Sequence, residues 1–577
     1  MGALLIMVLA FVGYIVMYQL YGKFIGNKIF ALNDNNKVPS VEFEDDVDFV
    51  PTKKEVIFGH HFASIAGTGP IVGPAIAVIW GWAPALIWVF VGSIVMGAAH
   101  DFGSLIISMR NEGKSISEYT SKYINNRTKY FFFFIVFLEL WIIVAIFGLV
   151  IAVIFNMYPV SVLPVWLEIP IAMYLGHLVY QKGVNLTTWS IIAVVVMYLT
   201  VILGAYLPIS MPSLFGLSSI AIWSVILLIY AFIASVLPVT KLLQPRDYIN
   251  SHQLLVAMAL LVLGVLFASF SGNLHIVAPA VQMNPAGTPP LWPFLFITIA
   301  CGAISGFHAL VSSGTSAKQV RKESDSLFVG YGAMLLEGSL ATLVIIATTA
   351  GIGMGLTTGG ETLLGTAAWT HHYASWAAAK GLGSKVGAFV VGSANLLGAL
   401  GIPKAIGITV MGVFVASFAG TTLDTATRVQ RYLISETFPK TFKNKYISTG
   451  FVVLVALALI FSSGASGKGA LALWPLFGAT NQTLAALALI VVTVYLKGRL
   501  RWGWLISAVP AVFMLVVSFW AAVQNQIQFG ANNNILLVII NIIIIISMLW
   551  VAFEGFMKFI KTSITSNPDL QKSTSSL

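Results

Sequence analysis

Apolar stretches of about twenty residues alternate with short polar ones along nearly the whole chain. A helix needs about twenty such residues to cross a hydrocarbon core about 30 Å thick. The alternating apolar and polar positions of a membrane barrel are missing. About fifteen helical spans are predicted, at 2–21, 57–80, 83–108, 130–155, 161–180, 187–208, 216–240, 253–272, 291–313, 329–354, 386–420, 447–463, 471–496, 504–523 and 533–556. One clearly polar segment lies near the start, 33–56, where Glu42, Glu44, Asp45, Asp46 and Asp48 precede Lys53 and Lys54. It reads as a cytosolic linker between an extra first helix and the core. The Ser/Thr-rich end, 562–577, reads as a disordered tail.

Two spans carry helix breakers. Gly67-Thr68-Gly69-Pro70 interrupts the second, and Pro238, with Pro245 beyond it, interrupts the seventh. Backbone freed inside a membrane is tolerated where it lines a cavity or is buried in protein. Each break opens a run of five spans, 57–208 and 216–420, and the two runs enter from opposite sides. That is an inverted repeat of five plus five helices led by discontinuous helices, the plan of transporters of the leucine-transporter kind. Residues 57–420 are therefore expected to form the core, with accessory helices over 421–561.

Composition strengthens this reading. Only 9% of the 577 residues are charged and 58% are hydrophobic, with a mean hydropathy of +0.90. The net charge of +10 does not indicate nucleic-acid binding, because the basic residues lie in short loops. Stretches 109–129, 241–252, 314–328, 421–446 and 497–503 carry Lys and Arg, whereas 156–160, 209–215, 273–290 and 524–532 carry none. By the positive-inside rule the N-terminus lies outside and the C-terminus in the cytosol. The single Cys301 excludes an internal disulfide framework.

Charged groups at membrane depth mark function by default. Broken-helix amides near Gly67, Thr68 and Gly69, with Ser64 and, opposite, Ser235, are the candidate ligands for a carboxylate substrate. His60 and His61 stand at the entrance of the first break, and Lys404 is placed in mid-span; these are the candidate proton-coupling groups. His100 and Asp101 end the third span near the inner surface. A cap at the interface explains them, although Asp101 stays among the coupling candidates. Ser312 and Ser313, with carbonyls freed near Ala66 and Gly67, offer hard oxygens to Na⁺ instead. His308 reads as a packing residue. Asp424 reads as the start of a cytosolic loop, paired with Arg428. No metal or cofactor motif is found: the chain lacks His-Glu-x-x-His and a Walker loop. Ala303-Ile-Ser305-Gly306 only approaches a serine intramembrane protease turn. An ion channel is the alternative from another class, and an intramembrane hydrolase a more distant one.

The runs GHHFASIAGTGPIVGP, GAAHDFGSLIISMR, CGAISGFHALVSSGTSAKQ, GYGAMLLEG, GTTLDTATRVQRY and WPLFGATNQTLAALAL occur in this order. Over most of residues 50–500 the chain resembles the carbon starvation protein A family. The resemblance implies membership of the amino acid–polyamine–organocation superfamily and a leucine-transporter-like core. It further implies uptake of pyruvate or small peptides across a bacterial inner membrane by proton symport.

Overall fold

The computed structural model describes residues 2–562. The predicted tail therefore lies outside the described residues from 563 onward. Among the described residues, twelve helices are long and apolar enough to cross a membrane, or thirteen counting one bent pair. In chain order they begin with α1 Gly2–Ile29, the bent pair α2 Lys54–Ala66 and α3 Gly69–Trp80, α4 Trp82–Met109, α5 Asn126–Met157, α6 Pro159–Lys182, α7 Leu186–Tyr206, α8 Ser219–Val236 and α9 Leu243–Phe270. The shorter α10 Leu291–Thr298 and α11 Gly306–Gly314 follow, then α12 Leu327–Met354. A two-stranded hairpin, Leu356–Thr358 with Glu361–Leu363, comes next. Further along come α13 Leu382–Gly398, α14 Lys404–Thr437, α15 Lys445–Phe461, α16 Gly469–Lys497, α17 Leu505–Ala531 and α18 Ile535–Lys561, and short helices such as Ile116–Tyr123 and Gly365–His372 lie in the connections.

Local chemistry sets many of the ends. The side chains of Asn125, Asn185, Ser218, Asn444 and Asn534 accept amide hydrogen bonds at helix starts, satisfying donors that have no partner within the helix. Gly183 closes α6 in the left-handed region.

Two expected spans are corrected. Residues 386–420 are not one helix: Leu400-Gly401-Ile402-Pro403 separates α13 from α14, and Gly401 has a φ of +81°. Both ends of α13 lie on one side of the molecule. Near its start, a Cβ on Gly383 would meet Met157 at the end of α5; near its end, Asn395 donates to the carbonyls of Gly351 and Gly355. Thus α13 lies along that side and α14 makes the crossing. Residues 291–313 are also interrupted, with 299–305 non-helical between α10 and α11. Counted as one crossing, and with the 17-residue α15 as another, they bring the crossings to the predicted fifteen.

At the centre α5 and α14 pack along each other, flanked by the two broken pairs. α12, α14 and α16 are almost wholly enclosed by other helices, whereas α1 and α7 expose most of their apolar surface. Small residues admit close approach. α2 meets α9 at Gly59, where a Cβ would lie 2.6 Å from Ser251 Oγ, and α11 meets α16 at Gly306, where a Cβ would strike the Asn481 carbonyl. α4 contains one π-helical turn, Gly92–Gly97, and α12 begins with another, Leu327–Gly332.

The linker over 33–56 is more than a connection. Val50 and Thr52 donate backbone bonds to the carbonyls of Lys318 and Gln319. Asp48 pairs with Arg428 at 2.9 Å and Arg431 at 3.6 Å and accepts from Tyr432. Burial alone would push the Asp48 carboxyl up, but the two guanidiniums hold it below the usual carboxylate range. The segment straps the start of α2 to the loop after α11 and to the last turns of α14.

Candidate functional site

The second break is not at Pro238. α8 is regular to Val236, and Pro238 lies in the connection to α9. The helix that breaks is the one around Cys301, and it meets the first break directly. Gly67 adopts φ +46°, ψ −142°, which ends α2, and this region favours glycine. Thr68 follows, and α3 starts at Gly69 with Pro70, which has no amide to leave unsatisfied. A Cβ on Gly69 would collide with the Cβ and Sγ of Cys301, and one on Gly73 would sit 2.5 Å from the Thr298 carbonyl oxygen. The two unwound segments therefore cross face to face, in contact through glycine.

Polar groups surround the crossing. Thr422 Oγ1 donates to the Ser64 carbonyl at 3.1 Å, and Ser64 Oγ is 2.9 Å from Thr425 Oγ1. A Cβ on Gly67 would lie 2.5 Å from Thr422 Oγ1. On the other side, Asn481 Oδ1 accepts from the Phe307 amide at 2.8 Å and from Ser305 Oγ at 3.1 Å, capping the start of α11.

Buried ionisable groups lie beyond. His60 Nδ1 contacts Asp247, and its Nε2 is 3.2 Å from Thr315 Oγ1. His61 Nδ1 is 2.8 Å from Ser316 Oγ. Asp101 lies between two histidines, with Oδ1 2.7 Å from His100 Nδ1 and Oδ2 2.8 Å from His308 Nδ1. Glu337 stands 3.4 Å from His308 Nε2. Farther along α14, Asp424 pairs with Arg246 and accepts from Tyr230 at 2.8 Å. Glu139 accepts from Thr480.

The structure brings Ser64, Gly67, Thr68, Gly69, His60, His61 and Asp101 into this centre. Others do not join it as expected. Ser235 faces Thr449 at 3.5 Å, between α8 and α15, because its helix is not the broken one. Lys404 is exposed at the start of α14 and donates to Thr357 at 3.2 Å, because α14 begins there. Ser313 donates to the Ala309 carbonyl and accepts from the Ile116 amide, so its oxygen is engaged. Ser312 is buried, and its Oγ has no hydrogen-bond partner. The oxygens beside Ser64 come instead from Thr422 and Thr425. Asp101 is no interfacial cap: it is fully buried, about two turns before α4 ends. Asp424 lies inside α14 and pairs with Arg246, not Arg428.

Sequence reasoning missed Cys301, Asn481, Thr422, Asp247 and the roles of His308 and Glu337. The spacing of small residues in CGAISG was the available signal for the second break.

The carbon starvation protein CstA family pattern matches residues 2–521. The chain is 32% identical to the "Peptide transporter CstA" of Campylobacter jejuni, over 92% of this chain and 82% of that one. It is also 32% identical to the "Pyruvate/proton symporter BtsT" of Escherichia coli K12, over 90% and 81%. Two solved structures share the fold at a TM-score of 0.50. One is a manganese transporter of Eremococcus coleocola, 11% identical over 90% of this chain and 99% of that one; the other is MhsT in complex with L-phenylalanine, 13% identical over 82% and 99%. The leucine-transporter-like core expected from the sequence is thereby shown.

Proposed function

The chain belongs to the carbon starvation protein CstA family of membrane transporters, and from that premise we propose that it imports a small carboxylate-bearing nutrient, pyruvate or a short peptide, together with a proton. The crossing of the two broken helices, with Gly69 against Cys301, carries this reading. Half-helix amides at a break attract a carboxylate where water is scarce. Gly67, Thr68 and Gly69, with Ser64 beside them, line the substrate position. In this reading the two repeats of five crossings are α2–α9, with the α6–α7 hairpin inserted, and α10–α16. Each opens with its broken pair, and the pairs pack against α9 and α16 at Gly59 and Gly306. The strapped side, with the basic loops, faces the cytosol, so the N-terminus lies outside a bacterial inner membrane.

The test is uptake into proteoliposomes of purified protein. Saturable accumulation of labelled pyruvate or a dipeptide, driven by an inward proton gradient and abolished by a protonophore, is expected. Ohmic current without saturation would support a channel instead. Uptake driven by a sodium gradient at constant pH would replace the proton.

A further inference from the structure

We propose that Glu337 carries the coupled proton and exchanges it with His308, whose other face is fixed by Asp101. The inference rests on the symport reading above and names the group that performs the coupling. Both carboxyl oxygens of Glu337 are buried without a hydrogen-bond partner, as is His308 Nε2. Three orphaned polar atoms at one place are costly unless something is held there. His308 Nε2 faces Glu337 Oε2 at 3.4 Å, slightly beyond a good hydrogen bond.

The wiring gives this pair a direction. With Asp101 ionised, His308 holds its hydrogen on Nδ1 and donates it to Oδ2 at 2.8 Å. The Nε2 lone pair is then turned toward Glu337. A protonated Glu337 can release its hydrogen to that nitrogen: the O–H bond breaks, the N–H bond forms, and the imidazolium lies between two carboxylates. The reverse step restores a neutral acid beside a neutral imidazole.

Position ties the step to transport. Cys301 Sγ, His308 and Glu337 present atoms all within 4.8 Å of one another, and Cys301 is the residue pressed against Gly69. His308 rides on α11, the half-helix that starts after the unwound segment, whereas Glu337 rides on α12. A substrate that shifts α11 thus changes the gap across which the proton moves. The π turn at Gly92–Gly97 lies just before Asp101, and a Cβ on Gly97 would strike the Ala303 carbonyl of the unwound segment. Such turns often occur at functional sites. The other ionisable groups around the pair are His100 and Asp101 on α4, His61 on α2, Tyr14 on α1, Cys301, and Glu139 on α5.

Purified wild type and Glu337→Gln in proteoliposomes test the proposal, with labelled pyruvate and a labelled dipeptide as probes. A gradient of about one pH unit supports about tenfold accumulation at one proton per substrate. Wild type should approach this level. Glu337→Gln should stop at equilibration while its counterflow at equal pH stays within about twofold of wild type, because exchange needs no net proton transfer. Its counterflow should also lose pH dependence. Gradient-driven accumulation by Glu337→Gln would overturn the proposal, and so would loss of counterflow by a well-folded variant. If Glu337→Gln does not purify as a monodisperse protein, Glu337→Asp takes its place: it lengthens the gap and should slow driven uptake more than counterflow. Equal effects of Glu337→Asp on both would sink the idea. Failure of wild type itself to respond to the proton gradient would refute the symport reading, which is a different result.

Discussion

At the scale of single residues, the contact between Gly69 and Cys301 is the most demanding. Gly69→Ala places a Cβ on the Cys301 side chain and should cost about 1–3 kcal/mol through overpacking, read as a lower unfolding temperature with reduced transport. Cys301→Gly in the same chain should recover much of both, whereas Cys301→Ala keeps the offending Cβ and should recover less. A second test concerns the ion pair of Arg246 and Asp424, both almost fully buried. Asp424→Asn leaves a guanidinium without its charge partner and should destabilise by about 3–5 kcal/mol. Replacing both residues with apolar ones should restore part of that stability in thermal unfolding. His60, His61 and Asp101 stood out in the sequence because ionisable groups are rare in apolar stretches. Their partners did not. Asp247 follows His60 by 187 positions and His308 follows Asp101 by 207, and no local pattern expresses such pairing.

At the scale of elements, spans rich in uninterrupted apolar residues were legible, and α5, α7 and α18 fall where expected. The breaks were half legible. Gly67-Thr68-Gly69-Pro70 announces itself through a proline and two glycines, but the second break has no proline, and CGAISG passes for a helix of small residues. Pro238 misled because a proline at the edge of an apolar stretch marks a connection as readily as a kink. The joined span 386–420 hid a turn at Gly401-Ile402-Pro403 and placed Lys404 in mid-membrane. Labelling tests the corrected assignment. In a Cys301→Ala background, single cysteines at Lys380 and Lys404, one beyond each end of α13, should both react with an impermeant maleimide from the same side of the membrane. Reaction from opposite sides would make α13 a crossing helix.

For the molecule as a whole, the fold was legible because hydropathy dictates crossings. The strap was not, because acidic residues in a polar stretch read as solvated. Its contacts have a pH signature. Asp48 is held below its unfolded pKa, so its contribution is full above the ordinary carboxylate range and is lost as the pH falls through the lowered value. The stability difference between wild type and Asp48→Asn should therefore be largest near pH ~7 and close in acid, as measured by thermal unfolding in detergent. A difference that persists unchanged in acid would mean that the pairing contributes nothing.

The same strap bears on economy. Parting the strapped side means separating Asp48 from Arg428, Arg431 and Tyr432 together with the backbone bonds at Lys318 and Gln319. Contacts that must break at once make an opening rare unless something bound elsewhere favours it. Each of these contacts opposes opening of the empty carrier at this face, which limits the leak that many copies in one membrane would cause.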